Sequence, residues 1–90
     1  MKDERLTLIV KNRETTLYQG EVKAITSYNE VGTFDVLPEH ANFISLIQKS
    51  LVIHELRGSK NEINFDIALL RVTENKVEVY LGIRNLGPIA

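Results

Sequence analysis

From residue 62 to residue 83 the chain keeps returning to a period of two, and that period constrains the fold more than any other feature. Ile63, Phe65, Ile67 and Leu69 take every second place, with Glu62, Asn64, Asp66 and Ala68 between them. Such spacing puts the first set on one face of a β-strand. The pattern returns at Val77, Val79, Leu81 and Ile83, with Glu78 and Arg84 on the other parity. Thr73-Glu74-Asn75-Lys76 lies between the runs as a polar turn, so the two runs predict an antiparallel hairpin. A second hairpin is expected from Leu51–Leu56 through the turn Arg57-Gly58-Ser59-Lys60, where Gly58 supplies a positive φ.

The first half reads the same way. Leu6, Leu8 and Val10 alternate with Thr7, Ile9 and Lys11, which allows apolar residues on both faces. Asn12-Arg13-Glu14 is a turn, and Thr15–Tyr18 is rich in β-branched and aromatic residues. Gly20 is expected to mark a bulge or bend before the strand Glu21–Tyr28. Asn29-Glu30-Val31-Gly32 is a polar loop, and Thr33–Leu37 an extended stretch stopped by Pro38. The spacing of Phe43–Ile47 fits a helical turn or a strand, and the strand is favoured. No long amphipathic helix, solenoid repeat or low-complexity linker is present. Short strands with frequent turns point to a sandwich or barrel. Gly87-Pro88 should end regular structure in the tail Asn85–Ala90.

Ninety residues suit one domain with a small core. The formal charge is −1 and the basic residues are scattered among acidic ones, which argues against nucleic acid as a main partner. The chain has no cysteine, so disulfides and thiolate metal sites are excluded. It shows no signal-peptide core at Met1-Lys2-Asp3-Glu4-Arg5 and no apolar run long enough to cross a bilayer as a helix. Membrane association is expected only through a partner.

Chemistry-bearing motifs are scarce. His40 and His54 have no metal-ligand spacing, and each reads better as a loop or strand residue. Ser45 and Ser50 lie near His40 in sequence, but no Gly-x-Ser-x-Gly elbow or phosphate loop occurs. Tyr18, Tyr28 and Tyr80 lack a basic groove in which to stack bases. No catalytic residue, cofactor or metal is therefore assigned. The densest run of special residues is Gly32-Thr33-Phe34-Asp35-Val36-Leu37-Pro38-Glu39-His40-Ala41. Its composition suits a shaped contact surface and a corner needed only for folding equally well.

That run, with Leu17-Tyr18-Gln19-Gly20-Glu21-Val22 before it, resembles the epsilon subunit of F-type ATP synthase, called delta in mitochondria. The family pattern is a Gly-Glu-Val-like step, then Gly-x-Phe/Leu-Gly-Val/Ile-Leu-Pro-x-His-Ala. Gly32, Phe34, Val36, Leu37, Pro38, His40 and Ala41 match it in order. Leu70-Arg71-Val72 and Asn75–Val79 are similar to the family's last hairpin. The resemblance runs from Leu6 to about Leu81. Asp35 departs from a glycine, Glu39 stands at a variable place that is often glycine, Asn42 replaces a proline, and Ile67-Ala68 replaces a Gly-Gly pair.

The resemblance implies an all-β fold, a small antiparallel β-sandwich of about ten strands over residues 1–84. The family's C-terminal helical hairpin is expected to be absent, so its inhibitory and nucleotide-binding behaviour is not assigned. It implies a non-catalytic central-stalk subunit that ties gamma to the c-ring during proton-driven ATP synthesis, on the cytoplasmic face of the bacterial plasma membrane. Contacts toward the c-ring are expected at Asn29, Glu30, Val31, Gly32 and Thr33. Contacts toward gamma are expected at His40, Phe43 and Ser45, with a structural hydrogen bond as the competing role for His40. The alternatives are an epsilon-like sandwich recruited to a different assembly, and a small enzyme built on a histidine and a carboxylate.

Overall fold

A computed structural model of the chain describes residues 4–82. Met1–Asp3, the alternating Ile83, Arg84 and the expected tail from Asn85 lie outside the described residues. The described residues hold six strands: β1 (Leu6–Lys11), β2 (Thr16–Asn29), β3 (Gly32–Val36), β4 (Phe43–Glu55), β5 (Lys60–Thr73) and β6 (Lys76–Leu81). Phe43–Ile47 is strand, as favoured.

The sheet order is β1-β6-β5-β4-β2-β3, and an added β1–β2 ladder closes the barrel-like sandwich. Every ladder is antiparallel except β1–β6, which is parallel and joins the two ends of the described chain. Three strands run for 13 or 14 residues and pass from one layer to the other. The first layer holds β1, β6, the start of β2, the start of β4 and the end of β5. The second holds β3, the end of β2, the end of β4 and the start of β5. Each long strand thus does the work of two short ones, which is how six strands approach the expected count.

The passage between layers happens at bulges. Leu17 is skipped between the pairs Val10–Tyr18 and Lys11–Thr16. Lys23 is skipped between Val22–Glu55 and Ala24–His54. Asp66 is skipped between Gln48–Ile67 and Lys49–Phe65, and Lys49 itself is left-handed at φ 76°. One extra residue bends a strand and reverses which parity faces the core. This corrects two expectations. Gly20 is an ordinary paired position opposite Leu8, with bulges on either side of it. Ile67 and Leu69 do not continue inward with Ile63 and Phe65; beyond Asp66 the core positions are Ala68, Leu70 and Val72.

The turns follow their residues. Glu74 and Asn75 take φ 48° and 67°, which is the two-residue turn that suits a twisted hairpin. Gly58 takes φ 101° in the β4–β5 turn. Between the layers lie Leu6, Leu8 and Val10 of β1, Val77 and Val79 of β6, and Ile47, Leu51 and Ile53 of β4, all fully buried. Each such side chain contributes about 1.5–3 kcal/mol on burial. The polar Ser27 is also fully buried, and its hydroxyl donates to the Ser50 carbonyl at 2.7 Å.

Candidate functional site: a hairpin tip and an aromatic corner

Asn29 shapes the tip of the β2–β3 hairpin. It pairs with Gly32 across the two-residue turn Glu30-Val31. Its Oδ1 accepts the Val31 and Gly32 amides at 2.9 and 3.2 Å, the Asx geometry that lets this residue type close a turn. Its Nδ2 donates to Ser45 Oγ at 3.4 Å, which ties the tip to β4. Gly32, at φ 143°, holds a backbone conformation that other residues rarely adopt. Glu30, Val31, Gly32 and Thr33 are all exposed, and Val31 is 91% exposed at the end of the hairpin. A valine in that place adds nothing to the packing of the core. A shallow depression beside it is walled by Leu46, Gln48 and Ile67.

The second set gathers around Phe43. The Phe43 ring meets Phe34 edge-on at 6.0 Å and His40 tilted at 5.1 Å. His40 Nδ1–H donates to the Ala41 carbonyl at 3.0 Å, so a local hydrogen bond for His40 is present while the ring stays exposed. Ser45 stands two residues along β4 from Phe43, and its hydroxyl donates to the Leu46 carbonyl at 3.1 Å. The two expected contact sets therefore adjoin, through Ser45–Asn29 on one side and Phe34–Phe43 on the other. They adjoin where β3 and the end of β2 in the second layer meet the start of β4 in the first.

Two groupings were not visible in the sequence. Thr26, Asp35 and His54 meet across β2, β3 and β4. Thr26 Oγ1 donates to Asp35 Oδ1 at 2.6 Å, so the oxygen accepts from His54 Nε2–H at 2.8 Å. The hydroxyl proton points to the carboxylate, not the imidazole, so His54 is not placed as a base for a nucleophile. Asp35, in place of the family glycine, was the available signal. The other grouping is a pair of asparagines. Asn75 Oδ1 accepts the Glu39 amide at 2.6 Å, and Asn42 Oδ1 accepts the Glu74 amide at 3.0 Å. Together they pin the Leu37–Asn42 corner to the β5–β6 turn.

Among the described residues no three His, Cys, Asp or Glu side chains converge as metal ligands. Ser50 is buried, and its carbonyl accepts from the Ser27 hydroxyl. Lys49 lies 5.3 Å from the Tyr28 ring and Lys11 5.6 Å from the Tyr80 ring. Burial pushes the Tyr18 and Tyr80 phenols above their usual value, and Glu55 and Glu78 respectively push the same way. Of the departing pair, Ala68 is fully buried opposite Ile47 and Leu81, and Ile67 faces the hairpin-tip depression.

Residues 5–81 match the family model of the ATP synthase delta/epsilon chain β-sandwich domain. An ATP synthase epsilon chain of Nitratiruptor is 35% identical over 74 residues, covering 81% of this chain and 57% of the relative. One from Clostridium botulinum is 30% identical over 80 residues, covering 88% of this chain and 59% of the relative. The chain thus spans less than two thirds of the length of either. A chain in the Euglena gracilis mitochondrial ATP synthase (OSCP, F1 and c-ring) superposes with a TM-score of 0.82 at 18% identity, over 90% of this chain and 52% of that one. A chain in the central stalk and c-ring of the Tetrahymena thermophila mitochondrial ATP synthase superposes at 0.69 with 11% identity, over 90% and 66%. The structural likenesses bear on the fold, and the sequence matches on descent: the chain belongs to the delta/epsilon family of ATP synthase subunits, and residues 5–81 are its β-sandwich domain.

Proposed function

We propose that this domain serves as a non-catalytic coupling piece of the rotor in an F-type ATP synthase, joining gamma to the c-ring. The observation that carries this reading is the family match over residues 5–81 together with the shape of the β3 end. A coupling piece needs a stiff body and exposed contact residues, not a reactive group. The closed ladder and the buried core supply stiffness. Val31, Glu30 and Thr33 at the tip supply the surface toward the c-ring, while His40, Phe43 and Ser45 supply the surface toward gamma. Torque would pass between the two partners over a short path, because the two contact sets adjoin through the Asn29–Ser45 and Phe34–Phe43 side-chain contacts. The attachment we propose on the strength of the family match is peripheral and made through the complex, on the cytoplasmic face in a bacterium.

The test is reconstitution of the rotor with purified gamma and c-ring. Glu30→Lys is expected to weaken joining to the c-ring and to change its salt sensitivity, with gamma binding unaltered. His40→Ala is expected to weaken gamma binding by calorimetry. A folded domain that binds neither partner would defeat the rotor reading and leave the recruited sandwich.

A further inference from the structure

The second layer of the sandwich has two open edges, β3 on one side and the first half of β5 on the other. They are not defended alike. The β5 edge carries Lys60, Glu62 and Asp66 and is kinked by the Asp66 bulge. Charges and bulges are the usual devices that stop a strand from accepting a neighbour. Within β3, Gly32-Thr33-Phe34-Asp35-Val36, the pairing with β2 runs without a register shift and no proline or lysine intervenes. Its single charge, Asp35, is held by the Thr26 hydroxyl. In an antiparallel ladder closed by a two-residue turn at Asn29–Gly32, alternate residues turn their backbone groups outward. The outward set here is Thr33 and Asp35. Exposed apolar side chains bracket the strand, Val31 at 91% and Leu37 at 54%.

Charge states what kind of strand fits. Residues 24–48 contain no lysine or arginine and three acids, Glu30, Asp35 and Glu39, all exposed on or beside this edge. We propose that the free edge of β3 is a docking site for an extended, lysine- or arginine-bearing segment of a partner protein, which adds as a further strand of the second layer. Backbone pairing to Thr33 and Asp35 supplies the register, and Val31 and Leu37 receive its apolar side chains. Glu30, Asp35 and Glu39 select basic over acidic segments. The inference does not depend on the rotor reading, because it fixes the chemistry of the donor and not its name.

The experiment is amide hydrogen exchange by NMR on the full chain, with a short synthetic peptide alternating valine and lysine, and a matched valine–glutamate peptide. The basic peptide is expected to slow exchange at the Thr33 and Asp35 amides by about tenfold or more and to leave Glu62 and Asn64 on the β5 edge unchanged. Glu30→Lys with Glu39→Lys should remove that protection while thermal unfolding shows the domain intact. Thr33→Pro, which removes an outward donor and no ladder bond, should do the same. Equal protection by both peptides, or none at β3, overturns the proposal. Protection of Thr33 that rises with protein concentration alone would also overturn it, in favour of a second copy as the occupant.

Discussion

Glu39 sits in a turn whose geometry asks for a different residue. The His40 amide donates to the Leu37 carbonyl at 3.2 Å, Pro38 takes the second place, and Glu39 takes the third at φ 68°. This is a type II turn, and its third place favours glycine because a Cβ there crowds the backbone. The side chain at 39 is exposed, so little packing is lost by removing it. Glu39→Gly is expected to stabilise the domain by about 0.5–1 kcal/mol, the relief of strain less the greater freedom of glycine in the unfolded chain. A urea midpoint that does not rise would refute the strain. The partly buried phenols of Tyr18 and Tyr80 give a second residue-level expectation. Burial raises the Tyr18 and Tyr80 values in the folded state, so the unfolded state ionises first as pH climbs. Their contribution is complete below about pH 10 and is lost as pH rises through the folded values. Denaturant unfolding should therefore show a drop in stability between about pH 9 and about pH 11 that shrinks in the Tyr18→Phe, Tyr80→Phe double variant. An equal drop in both proteins would assign the alkaline loss to other groups.

Among the elements, the corner between β3 and β4 owes its position to the two asparagines rather than to burial. Each removes one exposed backbone amide from solvent competition, and each bond is worth about 1 kcal/mol. Because both bonds hold the same two segments together, their loss should not be additive. Asn42→Ala and Asn75→Gly, the latter keeping the left-handed turn possible, should each destabilise by about 1 kcal/mol, and the double variant by less than their sum. Full additivity in a double-mutant cycle would show two independent bonds. This clasp also shows what the sequence could reveal. Period-two runs disclosed the strands, and Gly58 and Thr73–Lys76 disclosed the turns, because those signals are local. The family motif disclosed the sandwich and directed attention to Gly32–Ala41. The parity reversal at Asp66 was illegible because a bulge is a property of two strands in register, and no residue in Asn64–Ala68 demands it. The same holds for Asp35–Thr26–His54 and for Asn42 and Asn75. Each depends on which strands lie side by side, which single-chain periodicity does not state.

For the whole molecule, the uneven placement of charge matters more than its total. The chain carries a formal −1, yet residues 24–48 alone carry −3, so the remainder is net positive. Those residues include β3, the hairpin tip and the aromatic corner, and so the acidic end is also the proposed contact end. A domain polarised in this way is steered by the field of a basic partner before any contact forms. The rate of association with gamma and c-ring should then fall as salt rises, since screening at about 0.15 M ionic strength already acts beyond about 8 Å. The rate of dissociation should change little, because it is governed by short-range contacts such as those proposed for Val31 and Phe43. Glu30→Gln with Glu39→Gln should flatten the salt dependence of association in stopped-flow mixing, whereas Lys23→Gln should not. If the double variant associates with the same salt dependence as the parent, the acidic end does not steer, and its lack of basic residues has no part in assembly.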